Sequence, residues 1–153
     1  MDDQTTRRRA LENLALSGLA GLSFPSLAPA ARTRRKKLPV AAVITHYREY
    51  SHADVIIGKI LDGWQQAGGP GPDLELVSMY VDQFPEKDLS RRLSKKYGFR
   101  IARTIDEAVT LGTKTVPVAG VLSVGEHGNY PTTPDTMQHM YPRRRFFDEI
   151  VAA

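Results

Sequence analysis

Three of the chain's four histidines stand in two loops that each carry a glutamate, the first with an arginine as well. The first loop, Thr45-His46-Tyr47-Arg48-Glu49-Tyr50-Ser51-His52, follows an apolar run, and so does the second, Gly125-Glu126-His127-Gly128-Asn129-Tyr130-Pro131. Imidazole titrates near neutrality, so His46 or His127 can serve as general acid or base, with Glu126 as a neighbouring carboxylate. Imidazoles with a carboxylate can also hold a divalent metal such as zinc. No pair falls at the spacing of a compact metal motif, and there is no H-E-x-x-H, so spacing assigns no metal ligand. Gly125 and Gly128 would let the backbone approach a ligand closely. The competing reading is structural: His46 and His52 line a helix start, and His127 is a turn residue between glycines. His139 falls in a polar loop and is expected to be exposed.

These loops acquire meaning only from the elements that hold them. Leu38 to Ile44 is a continuous apolar run, which suits a strand buried on both faces of a parallel sheet. Ser51 is a plausible helix cap, with Asp54 three residues on and Ala53, Ile57, Ile60, Leu61 and Trp64 on one helical face. Gly68-Gly69-Pro70-Gly71-Pro72 ends that helix. Leu74 to Asp82 reads as a second strand. Pro85 and Asp88 open a second helix with Leu89, Leu93 and Tyr97 at four-residue steps, stopped by Gly98. Phe99 to Ala102 is a short strand, Thr104 to Glu107 a capping box for a short helix, and Val116 to Val124 a strand with Pro117 near its start. Arg143 to Ala153 is helical.

Strands alternating with helices predict an α/β fold. The expectation is a three-layer Rossmann-like domain with a mostly parallel sheet of about four strands, one half of a doubly wound fold and the start of the other. That pattern implies the N-terminal part of a longer protein. In such sheets ligands bind beyond the carboxyl ends of the strands, where strand order reverses. If the last strand pairs beside the first, His46, His52, Glu126 and His127 approach one another there.

The N-terminus reads as an export signal. Arg7, Arg8 and Arg9 precede an apolar stretch from Leu11 to Leu27, and Ala28-Pro29-Ala30 supplies a small-residue cleavage site, with cleavage after Ala30 or Ala31. The segment resembles a twin-arginine leader, although Ala10 stands where a bulkier apolar residue is common. Glycines and Pro25 interrupt it, which disfavours a stable membrane span of roughly 20 apolar residues. The expected organisation is therefore 1–31 signal peptide, 32–37 basic linker and 38–153 folded domain. The protein is expected outside the cytoplasm, periplasmic or extracytoplasmic, with the twin-arginine export machinery as a partner.

Charge follows the same division. Of 21 basic and 17 acidic side chains, eight and three lie in residues 1–37, leaving 13 and 14 in the domain. The basic excess belongs to the leader and linker, so nucleic-acid binding is not expected. The chain has no cysteine, which excludes disulfides and thiolate chemistry. Arg143-Arg144-Arg145, after Tyr141-Pro142, could grip a carboxylate, a phosphate or a neighbouring subunit of a homo-oligomer, or could be a solvated face.

Four segments resemble the nucleotide-binding domain of Gfo/Idh/MocA-type oxidoreductases: Val40 to Ile44, Leu74 to Asp82, Lys95-Lys96-Tyr97-Gly98-Phe99, and Thr104-Ile105-Asp106-Glu107-Ala108. The resemblance spans roughly Leu38 to Val124, and its more specific stretch is Lys96 to Ala108. It implies an exported oxidoreductase holding NAD or NADP and acting on a sugar or sugar derivative. On that reading Thr45 and Arg48 lie beside the cofactor, and Asp82 stands where the ribose-binding acid would be. The sequence departs from the family at two motifs. The first turn, Thr45 to His52, has no glycine, so bulky side chains would crowd a pyrophosphate. The E-K-P motif is also missing, since Glu86-Lys87-Asp88 sits at the start of the wrong helix. Two alternatives stand beside the oxidoreductase. One is a cofactor-free binding or structural domain with the same fold. The other is a metal-dependent hydrolase or lyase using His46 and His127.

Overall fold

Leu38–Ile44 forms the central strand, β1. Its residues from Val40 onward are buried, with Val40, Ala42 and Ile44 in one apolar cluster and Ala41 and Val43 in another. The unbroken apolar run thus reflects a strand with helices on both sides. The computed structural model describes residues 36–153. The expected signal peptide and all of the linker except Lys36 and Lys37 lie outside them.

After β1 come α1 (His52–Asp62), β2 (Leu74–Val81), α2 (Ser90–Tyr97), β3 (Arg100–Ala102), α3 (Ile105–Thr110), β4 (Gly120–Val124) and α4 (Arg143–Ala152). The four strands form one sheet in the order β3-β2-β1-β4, and every pairing is parallel. Ala53, Ile57 and Ile60 of α1, with Leu93 and Tyr97 of α2, pack on one face of the sheet. Ile105 and Val109 of α3, with Phe146 and Ile150 of α4, pack on the other. The protein is therefore an α/β domain with a Rossmann-like layout. Among the described residues, no helix is long and apolar enough to cross a membrane.

The local signals act as their chemistry demands. The Ser51 hydroxyl accepts the Asp54 N–H at 3.2 Å and starts α1. The Thr104 hydroxyl accepts the Glu107 N–H at 3.0 Å and starts α3. Gly98 closes α2 at φ 83°, a left-handed conformation suited to glycine, and its N–H bonds Ser94 O.

Several elements differ from expectation, among them the second helix, which starts at Ser90 after a turn at Pro85 to Asp88. The first helix ends at Gly63, φ 81°, one turn before the glycine-proline stretch, so Trp64 leaves the apolar face and is exposed. The last strand begins only at Gly120, because the segment before it is irregular and is tied to β1 by Ala119 N–H donating to Pro39 O. The turn after β1, Thr45 to Tyr50, is polar in composition, yet only its second half, Arg48 to Tyr50, is exposed. Thr45, His46 and Tyr47 are buried, and Tyr47 fills the α1–α2 side of the core.

Candidate functional site at the reversal of strand order

Between β1 and β4 the strand order changes direction, and the loops leaving both strands meet at their carboxyl ends. Backbone and side chain lock them together. Thr45 N–H donates to Val124 O at 3.2 Å, and the Thr45 hydroxyl donates to Glu126 O. From the β2 side, Gln83 N–H donates to Thr45 O at 2.8 Å, while the Gln83 amide both donates to and accepts from the Asn129 backbone. Thr45 is thus a clamp between loops, and its hydroxyl is engaged.

The clamp brings together the groups expected to converge. The His46 and His127 rings stack with centroids 6.0 Å apart, and those of His52 and His127 with centroids 5.0 Å apart. His52 Nδ1 contacts Glu126 Oε2 directly. One potential ligand atom from each of His52, Glu126 and His127 lies within 4.8 Å of the others. His46 is 7% exposed, and among the described residues its buried Nε2 has no hydrogen-bond partner. Burial, helped by the Arg48 guanidinium and the His127 ring, holds His46 below the ordinary imidazole value. His127 is lowered too, by burial first and then by His52 and Arg48. Both rings are therefore neutral at pH 7, able to accept a proton or a metal. His127 itself sits at φ 65°, an uncommon conformation for a residue other than glycine.

The opposite wall of the crevice is different. Asp82, just past β2, accepts the Tyr80 hydroxyl at 2.7 Å and pairs with Arg145 Nη2 through Oδ1, and accepts the Tyr130 hydroxyl at 2.7 Å through Oδ2. A ribose would have to displace these internal partners. This network was not apparent from the sequence. Tyr130 and Arg145 lie 48 and 63 residues from Asp82, and no local spacing signals such a group.

The remaining candidates are placed as follows. Arg48 is exposed and near the histidines, and among the described residues its guanidinium has no ion-pair partner. The three arginines of α4 are not an open anion grip: Arg143 pairs with Glu126 at 3.0 Å, Arg144 with Asp148 at 2.7 Å, and Arg145 with Asp82 and Glu149. The loop glycines have internal reasons. A Cβ at Gly125 would lie 2.8 Å from Arg143 Cγ, and one at Gly128 would lie 2.7 Å from the Tyr130 ring. They admit the protein's own side chains. His139 is exposed, as expected, and stacks on Tyr141.

The α1 N-terminus, where a dinucleotide phosphate would rest, carries its own carboxylate, because Asp54 accepts the Tyr50 N–H at 2.9 Å. A hollow of about 510 Å³ opens elsewhere, between α1 and α2. Several of its polar groups are already paired, with Gln66 bonded to the backbone of Asp54 and Val55 and Lys96 held by Asp62 and Tyr97. Among the described residues each place keeps one buried polar atom without a partner, the Tyr47 hydroxyl beside the hollow and His46 Nε2 beside the crevice. Comparison with known protein families, curated proteins and solved structures finds no match for this chain.

Proposed function

We propose that the protein is an exported Rossmann-like domain whose working site is the crevice between β1 and β4, where it takes a small polar ligand rather than a dinucleotide. The observation that carries this is the convergence of His46, His52, Glu126 and His127 at the reversal of strand order. His46 and His127, both held below the ordinary imidazole value, offer ring nitrogens to a proton or a metal, and Glu126 supplies a carboxylate fixed from its far side by Arg143. The positions a dinucleotide would use are filled by the chain itself: Asp54 at the α1 N-terminus, and Tyr80, Tyr130 and Arg145 on Asp82. Export rests on the Arg7 to Arg9 cluster, the apolar run and Ala28-Pro29-Ala30.

A second reading keeps the family resemblance whole: a Gfo/Idh/MocA-like oxidoreductase holding NAD or NADP and acting on a sugar derivative. The all-parallel order β3-β2-β1-β4 favours it, since that arrangement forms half of a dinucleotide-binding sheet. Titration of the full chain with NADH and NADPH separates the two. Trp64 is the only tryptophan. It lies at the far end of α1 from the crevice, about 18 Å away by helical rise, within range for energy transfer to a nicotinamide. The expected result is no saturable transfer. Saturable transfer would replace the first reading with the second and make Arg48 and Asp82 the next positions to mutate.

A further inference from the structure

We propose that His52, Glu126 and His127 form a binding site for one zinc-class divalent cation, with an open coordination position in the crevice. The inference rests on the reading that this crevice is the working site, and it names what the crevice holds. Two imidazoles and one carboxylate are a ligand set used by catalytic zinc, which keeps a fourth position for water or substrate. With no cysteine in the chain, the site is nitrogen and oxygen only, which suits zinc, cobalt or nickel better than a soft thiophilic ion.

The geometry is close to closed. Ligands of one tetrahedral zinc at roughly 2.1 Å stand about 3.4 Å apart. The three candidate atoms lie within 4.8 Å of one another, and metal binding would turn the stacked His52 and His127 rings so that their in-plane nitrogens face one ion. The two ligating segments are each anchored and are tied to one another through Thr45. His52 is the first residue of α1, behind the Ser51 cap. Glu126 and His127 follow β4, with the Glu126 carbonyl fixed by Thr45.

Support behind the ligands points the same way. Arg143 donates to Glu126 Oε1 at 3.0 Å and to Gly125 O at 3.1 Å, which aims Oε2 at His52 and away from the arginine. Such outer contacts orient metal ligands. An ordinary surface ion pair accounts for His52 and Glu126 alone, but not for a third ligand stacked on them. Nor does it account for His46 behind His127, buried with an unpaired nitrogen. Leaving such an atom unpaired is costly in a folded protein. The open position would be taken by a water or ligand oxygen. The cation would polarise that oxygen as a Lewis acid.

The test is a cobalt(II) titration of the full chain, prepared without a histidine tag and stripped with chelator, followed by visible absorption and by zinc competition. The expected result is one equivalent of cobalt with visible bands, displaced by one equivalent of zinc. Glu126→Gln and His52→Ala should each weaken binding at least tenfold. At position 127 the variant is His127→Asn, since asparagine tolerates the left-handed backbone there, and it should do the same. His139→Ala should leave binding unchanged. Circular dichroism verifies folding of each variant. No cobalt bands from the folded chain, or bands that survive both Glu126→Gln and His127→Asn, would overturn the site. Failure here with no NADH binding removes the metal and leaves the crevice reading standing, whereas NADH binding removes the crevice reading itself.

Discussion

Asp82 and Glu126 hold equivalent places in the fold, one just past the end of β2 and the other just past the end of β4, and they face the two sides of one crevice. Asp82 is largely buried and its oxygens are taken by Tyr80, Tyr130 and Arg145. Glu126 is more open. One oxygen is held by Arg143, and the other meets His52 beside the ring of His127. The difference teaches how to read a carboxylate at a ligand-binding edge. Position in a Rossmann-like sheet makes either acid a candidate, but internal saturation makes Asp82 a structural tie that joins β2, the loop after β4 and α4. Glu126 sits among groups that still have valence to offer a ligand.

Substituting the two acids in parallel should separate their roles most sharply. Asp82→Ala should lower unfolding free energy in urea by about 2–3 kcal/mol, since hydrogen bonds to a charged, mostly buried group are lost together. Cobalt stoichiometry should persist. Glu126→Gln should change stability by no more than about 0.5 kcal/mol, as expected of an exposed pair, while abolishing tight cobalt binding. The reverse pattern would make Glu126 the structural acid and end the distinction.

Acid titration sharpens the same contrast. Burial alone would raise the Asp82 carboxyl, but the hydroxyls of Tyr130 and Tyr80 and the Arg145 guanidinium outweigh burial and hold it below the ordinary value of 3.8. A carboxyl lowered on folding stabilises the native state above its unfolded value, and that contribution is lost as pH falls through the folded value. Wild-type stability should therefore decline steeply below about pH 4, and Asp82→Asn should flatten that limb. An unchanged limb in the variant would show that other carboxylates carry it.

The smallest effect tests whether the Asp82 group acts as a unit. Tyr130→Phe should cost about 1.5 kcal/mol in the wild-type background and close to nothing when Asp82 is already alanine, because the two share one interaction. Additive losses in a double-mutant cycle would mean that the Tyr130 hydroxyl is stabilised by something other than Asp82.

Much of the fold was legible in the residues. Helix caps at Ser51 and Thr104 and the stop at Gly98 act over three or four residues, so local chemistry is enough to read them. Trp64 shows the limit. Its spacing matches the apolar face of α1, but Gly63 ends the helix first. Tyr47 shows another, since a tyrosine inside a polar stretch gives no local sign that it will fill a core. For the candidate site, residue types pointed to the histidine loops, and their meeting depended on one condition, that β4 pair with β1. The α4 arginines looked available because their partners are reached only by a helical turn or by tertiary packing.

The amino-acid sequence by itself determined the alternation of strands and helices, the burial of β1 on both faces, the absence of thiol chemistry and the set of groups available for catalysis. These follow from hydrophobic period, capping chemistry and composition, which need no knowledge of distant contacts. Only the tertiary structure decided which acid is tied and which is open. Asp82 is saturated because the loop after β4 and α4 fold back over β2, bringing Tyr130 and Arg145 to it. Glu126 meets two histidines because parallel pairing sets the ends of β1 and β4 side by side.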